Sequence, residues 1–478
     1  MSGRVLPASV DYTKVLPLAV ESRARRRTYF PTNGATFNSA GNNIIRIDLS
    51  ANAFLDPKHS YLRFSFANTT GVGNTCGLDF GGGHGFIRRL RIEQAGNVLS
   101  DCQNYNKLMS AIILPSQGGI DSVAHRSVTE GIRFANQPTA ATNNLAALAA
   151  EVSGATANTP TNGDTQIAVA AGANTNSYTF AIPLMNGLLG TTQDKMVPLQ
   201  LLGSSPITIE IELANAIDIG IYAGAADPTG YEIHDVRYVA NLVEVGQEVE
   251  QQLRMVQEMS GGRLVLNGVD YTHFAGNIAA GATGKVTLNV PARRKSMKSL
   301  FFVGASGTFA AGVQRGAYNL SFGGNFNMRE YQLKIGSVMY PPTPVQAVLD
   351  TAAGAAAGRA EAAAELAKCL GTLGSTTGTG SLSRINTYTT DCDAANMPGT
   401  SAAGAPMVSH RFSPFGIDLE AFQRTAIESG VNTADRSLPI SLIVDIGAAN
   451  GEAVNVDSYI SYDSLYFIDS AGNISVSM

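Results

Sequence analysis

The chain has no tryptophan and only four cysteines, and 15% of its 478 residues are charged, against roughly 25% in an average soluble protein. Each shortage excludes something. Cys76, Cys102, Cys369 and Cys392 form no CxxC pair and no dense framework, which argues against a disulfide scaffold and for free thiols in a reducing compartment. Without tryptophan, an aromatic sugar-binding or receptor pocket lacks a common platform. No stretch approaches the roughly 20 apolar residues of a membrane-spanning helix. The first residues, MSGRVLPASVDYTKVLPLAV, lack a continuous apolar core, so no secretory leader is expected and assembly inside a cell is. A net charge of −5 excludes electrostatic nucleic-acid binding by the chain as a whole.

Apolar residues reach 44%, enough for sizeable cores, and glycine is abundant at 50 residues. Low charge with many small polar residues suits a surface buried against copies of itself. Strand-like runs dominate: NIIRIDL from Asn43, SYLRFSF from Ser60, PITIEIEL from Pro206, KVTLNV from Lys285, SLFFV from Ser299 and LPISLIVDI from Leu438. Each is short, alternating and bounded by turn residues. Two segments read as helix. One is weak, at 104–113. The other, 345–370, is alanine-dense with Pro344 just ahead of it. Two long stretches of low complexity, 136–176 and 371–406, have little apolar content to bury and read as surface loops.

The elements repeat. Ile45 falls opposite Val286, Ser60 opposite Ser299, and Gly96-Asn97-Val98-Leu99 opposite Gly336-Ser337-Val338-Met339, all at an offset of about 240. A helix and a low-complexity loop follow each match. Then come YTFAIPL from Tyr178 and HRFSPFG from His410, PITIEIEL and LPISLIVDI, and closing strands from Tyr231 and Val456. This order is the signature of duplication, and the offset is half the chain length. The expected fold is all-β: two tandem eight-stranded antiparallel jelly rolls, each with one inserted helix and a long loop. An immunoglobulin-like pair explains neither the helix nor the size of each half. The expected divisions are an N-terminal arm over 1–42, a first jelly roll over 43–257 and a second over 258–478.

Three stretches carry a family resemblance: GFIRRLRIEQAGNVLSDCQNYNKLM (85–109), IPLMNGLLGTTQDKMVPLQLLGSSPITIEIELA (182–214) and EYQLKIGSVMYPPTPV (330–345). The chain resembles the double jelly-roll major capsid proteins of the adenovirus and tailless-phage lineage. It is closest in style to those of polinton-like viruses, virophages and related eukaryotic DNA viruses. The resemblance runs from about residue 44 to the C-terminus. It implies a structural virion protein, not an enzyme, with no cofactor and no small-molecule substrate. Three chains would form a pseudo-hexameric capsomer that tiles an icosahedral shell. Partners would be the chain itself, penton and minor capsid proteins, and an internal membrane or the genome. Assembly would take place in the host cytoplasm or nucleus. The alternative is a trimeric β-rich spike, receptor-binding protein or adhesin.

No catalytic constellation is visible. GGGHG at 81–85 matches neither a phosphate loop nor a dinucleotide fingerprint, and a strand follows it, so it reads as a flexible turn. His59, His84, His125, His234, His273 and His410 show no metal-ligand spacing, and Asp391-Cys392-Asp393 lacks the rest of a calcium loop. Arg23, Arg25, Arg26 and Arg27 stand out against an acidic chain. They read as an arm on the inner side of a shell, contacting nucleic acid, a membrane or acidic patches of neighbours, or else as a solvated terminus. Arg293, Arg294, Lys295 and Lys298 form a second basic group. Arg88, Arg89 and Arg91 are taken as its counterpart in the first half.

Overall fold

The computed structural model describes residues 22–69, 75–78, 81–114, 129–131, 168–170, 178–185, 187–190, 195–203, 205–216, 218–223, 230–306, 320, 323–324, 326–347, 360–371, 409–410, 414–421, 430–451 and 453–478. Eight principal strands build the first half: β1 (Ser22–Tyr29), β2 (Ile44–Leu49), β3 (Phe54–Asn68), β4 (Ile87–Gln94), β5 (Asn97–Gln103), β6 (Tyr178–Ile182), β7 (Ile207–Leu213) and β8 (Tyr231–Val245). A helix, α1 (Gln247–Met259), leads to the second eight. These are β9 (Arg263–Ile278), β10 (Gly284–Asn289), β11 (Met297–Ser306), β12 (Met328–Ile335), β13 (Val338–Gln346), β14 (Phe415–Asp418), β15 (Ile440–Ile446) and β16 (Val454–Asp469). A second helix, α2 (Ala360–Cys369), precedes β14.

Strand order repeats. In the first half β1-β8-β3-β6 form one sheet and β2-β7-β4-β5 the other; in the second, β9-β16-β11-β14 and β10-β15-β12-β13. All of these pairings are antiparallel. Each half is thus a two-sheet jelly roll, and the expected fold class holds. Short strands extend the sheets: Thr36–Asn38 on β8, Val197–Pro198 on β3 and Ile474–Ser477 on β16. Among the described residues, helical structure follows the fifth strand of each roll. In the first roll it is a turn of α-helix, Tyr105–Lys107, running into a buried π-helical stretch, Leu108–Ile113; in the second it is α2.

Alternation explains these strands. β2 buries Ile45, Ile47 and Leu49; β15 buries Ile440, Leu442, Val444 and Ile446. With a period of two, those residues share the inner face. The duplication reaches single side chains. Phe64 on β3 faces Phe180 on β6, and Phe302 on β11 faces Phe415 on β14. Ring centroids are 5.2 Å apart in both pairs. Around the first pair gather Phe66, Phe86 and Tyr231; around the second, Tyr331.

Three sequence expectations need correction. Residues 22–38 are not a free arm ahead of the first strand, because β1 pairs with β8 along its whole length from Ser22↔Val245 to Tyr29↔Tyr238. An arginine run carries no apolar alternation to reveal it. Val345 and Gln346 belong to strand β13, opposite Tyr331 and Glu330, and the described helix begins at Ala360. Pro341, Pro342 and Pro344 are tolerated there because β13 is an edge strand. The GGGHG turn is tightly packed: its glycines are buried, and a Cβ on Gly81 would stand 1.9 Å from the Ser110 hydroxyl. The low-complexity loops 136–176 and 371–406 fall almost wholly outside the described residues, and Asp391-Cys392-Asp393 entirely so.

Removing Phe64 or Phe302 to alanine empties the same site in either roll. Each change should cost about 3–5 kcal/mol, read as a lower denaturation midpoint. Similar losses from both are the signature of the duplicated core.

Candidate functional site

A buried polar assembly lies in the seam between the two rolls. Strand β5, at the edge of its own sheet, lies against β9, the edge strand of the second roll's first sheet. Apolar packing runs through the boundary: Leu266, Phe301, Val303, Tyr459, Tyr466 and Ile468 of the second roll join the first roll's core.

At its centre Asp270 is fully buried. Ser100 donates to it from β5 at 2.9 Å, and Ser464 and Tyr466 donate from β16 at 2.8 and 2.5 Å. Burial raises its carboxyl above the ordinary range, and the Tyr466, Ser464 and Ser100 hydrogen bonds offset part of that rise. Nearby, Asp457 on β16 accepts from Lys107 and lies 2.7 Å from His273 Nε2. Burial works against the Asp457 charge. The Lys107 ammonium and then the His273 hydrogen bond outweigh it and hold the carboxyl well below the usual range. Tyr459 donates to the Asn104 carbonyl at 3.0 Å. At the far end Gln94 closes a two-way amide pair: its Nε2 donates to the Gly472 carbonyl at 3.0 Å, and Ile474 N donates to its Oε1 at 2.7 Å.

The four arginines lie on β1, opposite Glu244, Leu242, Asn241 and Ala240 in turn, and all four are exposed. Arg25 pairs with Glu244 at 2.9 Å. Arg26 lies over the Tyr61 ring and Arg27 over the Tyr29 ring, 5.7 and 4.9 Å from the centroids. The other basic groups are consumed internally. Arg89 makes a two-pronged bond to Asp101 at 2.7 and 2.6 Å, and Arg91 bridges Glu93 and Glu210. Arg293 caps the Leu438 carbonyl, Arg294 stacks on Tyr462, and Lys298 pairs with Glu420. These two groups are not counterparts: Arg88, Arg89 and Arg91 sit on β4, whereas Arg293, Arg294 and Lys295 precede β11 and Lys298 lies in it.

The histidines are divided. His84 is buried 3.0 Å from Glu130, and His59 lies 2.6 Å from Asp56. Among the described residues no three His, Cys, Asp or Glu side chains gather as a metal site. Burial pushes the Cys102 thiol up, which disfavours the thiolate. An open groove of about 590 Å³ between α1 and the start of β9 is lined by Phe54, Pro198, Val245, Val249, Leu253 and Leu264. It offers apolar contact and no acid–base pair.

No protein-family model matches the chain, and no curated protein matches it. Solved structures do. The Faustovirus major capsid protein is similar at a TM-score of 0.57 and 8% identity, over 97% of this chain and 92% of that one. A quasi-atomic model of the PBCV-1 virus capsid gives 0.55 at 10% identity over 98% and 99%. The mavirus major capsid protein gives 0.50 at 11% identity over 100% and 96%. At such identities the likeness establishes the double jelly-roll fold, over nearly the full length of each chain.

The seam yields two expectations. Asp270→Ala removes the acceptor on which three buried hydroxyls converge and should lower stability by about 3 kcal/mol, measured by denaturant unfolding. Asp457 has a depressed folded value, so its contribution is complete above the ordinary carboxylate range and is lost as pH falls below it. The stability advantage of the native chain over Asp457→Asn should therefore shrink steadily from about pH 5 downwards, followed by thermal unfolding across that range.

Proposed function

We propose that the chain is a structural major capsid protein whose trimers form pseudo-hexameric capsomers of an icosahedral DNA-virus shell. The observation that carries this reading is the pair of equivalent rolls locked side by side by a buried, hydrogen-bonded seam. One chain then presents two nearly identical tiles in a fixed relation. Three chains supply six tiles, which is the count a hexagonal lattice position needs. The likeness to capsid proteins across nearly the whole chain supports it, because matches confined to one roll would fit any jelly-roll module.

The chain is a scaffold without chemistry in this reading. Its partners are copies of itself, then penton and minor capsid proteins, and its place is the virion, after assembly in the host cytoplasm or nucleus. The basic strand β1 is a contact surface of the assembled shell. A trimeric spike or adhesin would share the stoichiometry but would not tile.

Light scattering on the purified protein should show a species near three chain masses, and images of that peak should show a six-cornered outline. A monomer at all concentrations would remove the capsomer reading. A slender trimer without the outline would favour the spike.

A further inference from the structure

We propose that the exposed edge strand β13 of one copy docks on β1 and the adjoining end of β8 of a second copy, so that the seam inside the chain is repeated between chains. This rests on the self-assembly reading above and adds the surfaces that carry it.

The ladders fix which residues correspond. The Phe64–Phe180 and Phe302–Phe415 pairs anchor β3 to β11. Two residues earlier on those strands, Leu62 faces Tyr238 and Leu300 faces Ile460. Two residues further along β8 and β16 stand Ala240 and Tyr462, whose partners on the outer strands are Arg27 and Asp270. Arg27 therefore holds in the first roll the position that Asp270 holds in the second. On the other sheets, Ile92 faces Ile209 and Leu333 faces Leu442. The edge-strand partners of Ile92 and Leu333 are Ser100 and Tyr340. Ser100 and Tyr340 therefore correspond.

Within one chain Ser100 meets Asp270. The matching contact would join Tyr340 to Arg27, and both of its surfaces are uncovered. On β5 the seam buries Leu99, Ser100 and Cys102. On β13 the run VMYPPTP from Val338 to Pro344 is exposed or half-exposed throughout, with Val338 51% exposed. On β9 the seam buries Leu266, Gly268 and Asp270, whereas β1 is exposed from Ser22 to Arg27. The chain thus carries two copies of one interface and covers only one. A bare apolar edge strand is a template for association.

The chemistry fits a second copy. Tyrosine and proline faces on β13 suit the planar guanidinium groups of Arg25 and Arg27, which already lie near a carboxylate and an aromatic ring. The contact is head-to-tail, joining different surfaces of the two partners.

The test pairs Arg27→Cys chains with Tyr340→Cys chains under mild oxidation. A disulfide between the two kinds of chain is expected, with none when either variant is oxidised alone. A trimer by light scattering that forms no such disulfide would overturn this interface and leave the capsomer reading standing. A protein that stays monomeric would overturn both. Tyr340→Lys, which sets like charge against β1, should raise the concentration at which trimers dissociate by about tenfold or more. Val98→Lys, on the hairpin of the first roll, should not. Unchanged dissociation of Tyr340→Lys would count against the interface, including the case in which β1 holds nucleic acid instead.

Discussion

The contact of β5 with the long β9–β16 ribbon is the constraint on which the rest of the structure depends. Apolar packing across it is non-directional and would tolerate several registers. The polar groups would not. Asp270 is satisfied only when Ser100, Ser464 and Tyr466 converge on it, and Asp457 only when Lys107 reaches it. A shifted register would strand a buried carboxylate, which costs several kcal/mol. Gln94, paired with the backbone at Gly472 and Ile474, fixes the other end of the seam. The apolar residues hold the rolls together, and these side chains set the angle between them.

Much of the scaffold was legible because burial on one face writes a period of two into the sequence. β2, β7, β10 and β15 follow that pattern, and the hairpin turns at Gly96 and Gly336 punctuate it at matching places. The missed elements depart from it. β1 is exposed on both faces along its arginines, so nothing alternates. β9 carries Gly268 and Asp270 where apolar residues would be expected, because that stretch serves the seam rather than a core. Helix α1 is a further element that the sequence reading missed, although Val249, Leu253 and Val256 recur at helical spacing in QEVEQQLRMVQEM; its apolar side remains partly open. The seam itself left no local trace. Ser100 and Asp270 are separated by 170 residues, and each is unremarked in its own neighbourhood.

The two rolls share a skeleton and differ at their edges. Aromatic pairs, strand order and the helix after the fifth strand are common to both. Ser100 against Tyr340, and Asp270 against Arg27, are where they part. Selection on a duplicated interface acts differently once one copy is sealed inside a chain. The internal seam is buried and hydrogen-bonded, suited to permanence. The counterpart proposed between chains carries arginine, tyrosine and proline, which suit a surface that is exposed in the free chain and buried on contact.

That division bears on closure. A head-to-tail contact makes a ring only if the rotation between successive units returns on itself, and otherwise it makes an open filament. In a chain of two joined rolls, every second rotation is set before any copies meet. The buried carboxylates of the seam hold that angle more tightly than a purely apolar boundary would, since a tilt of the rolls breaks directional hydrogen bonds. With the internal angle fixed, the interface proposed between chains has only the external angle to set, through the exposed edge of β13. Pairs such as Arg89–Asp101 and Lys298–Glu420 hold charged groups within each roll, while β13 presents an uncharged edge from Val338 to Pro344 and β1 a basic one.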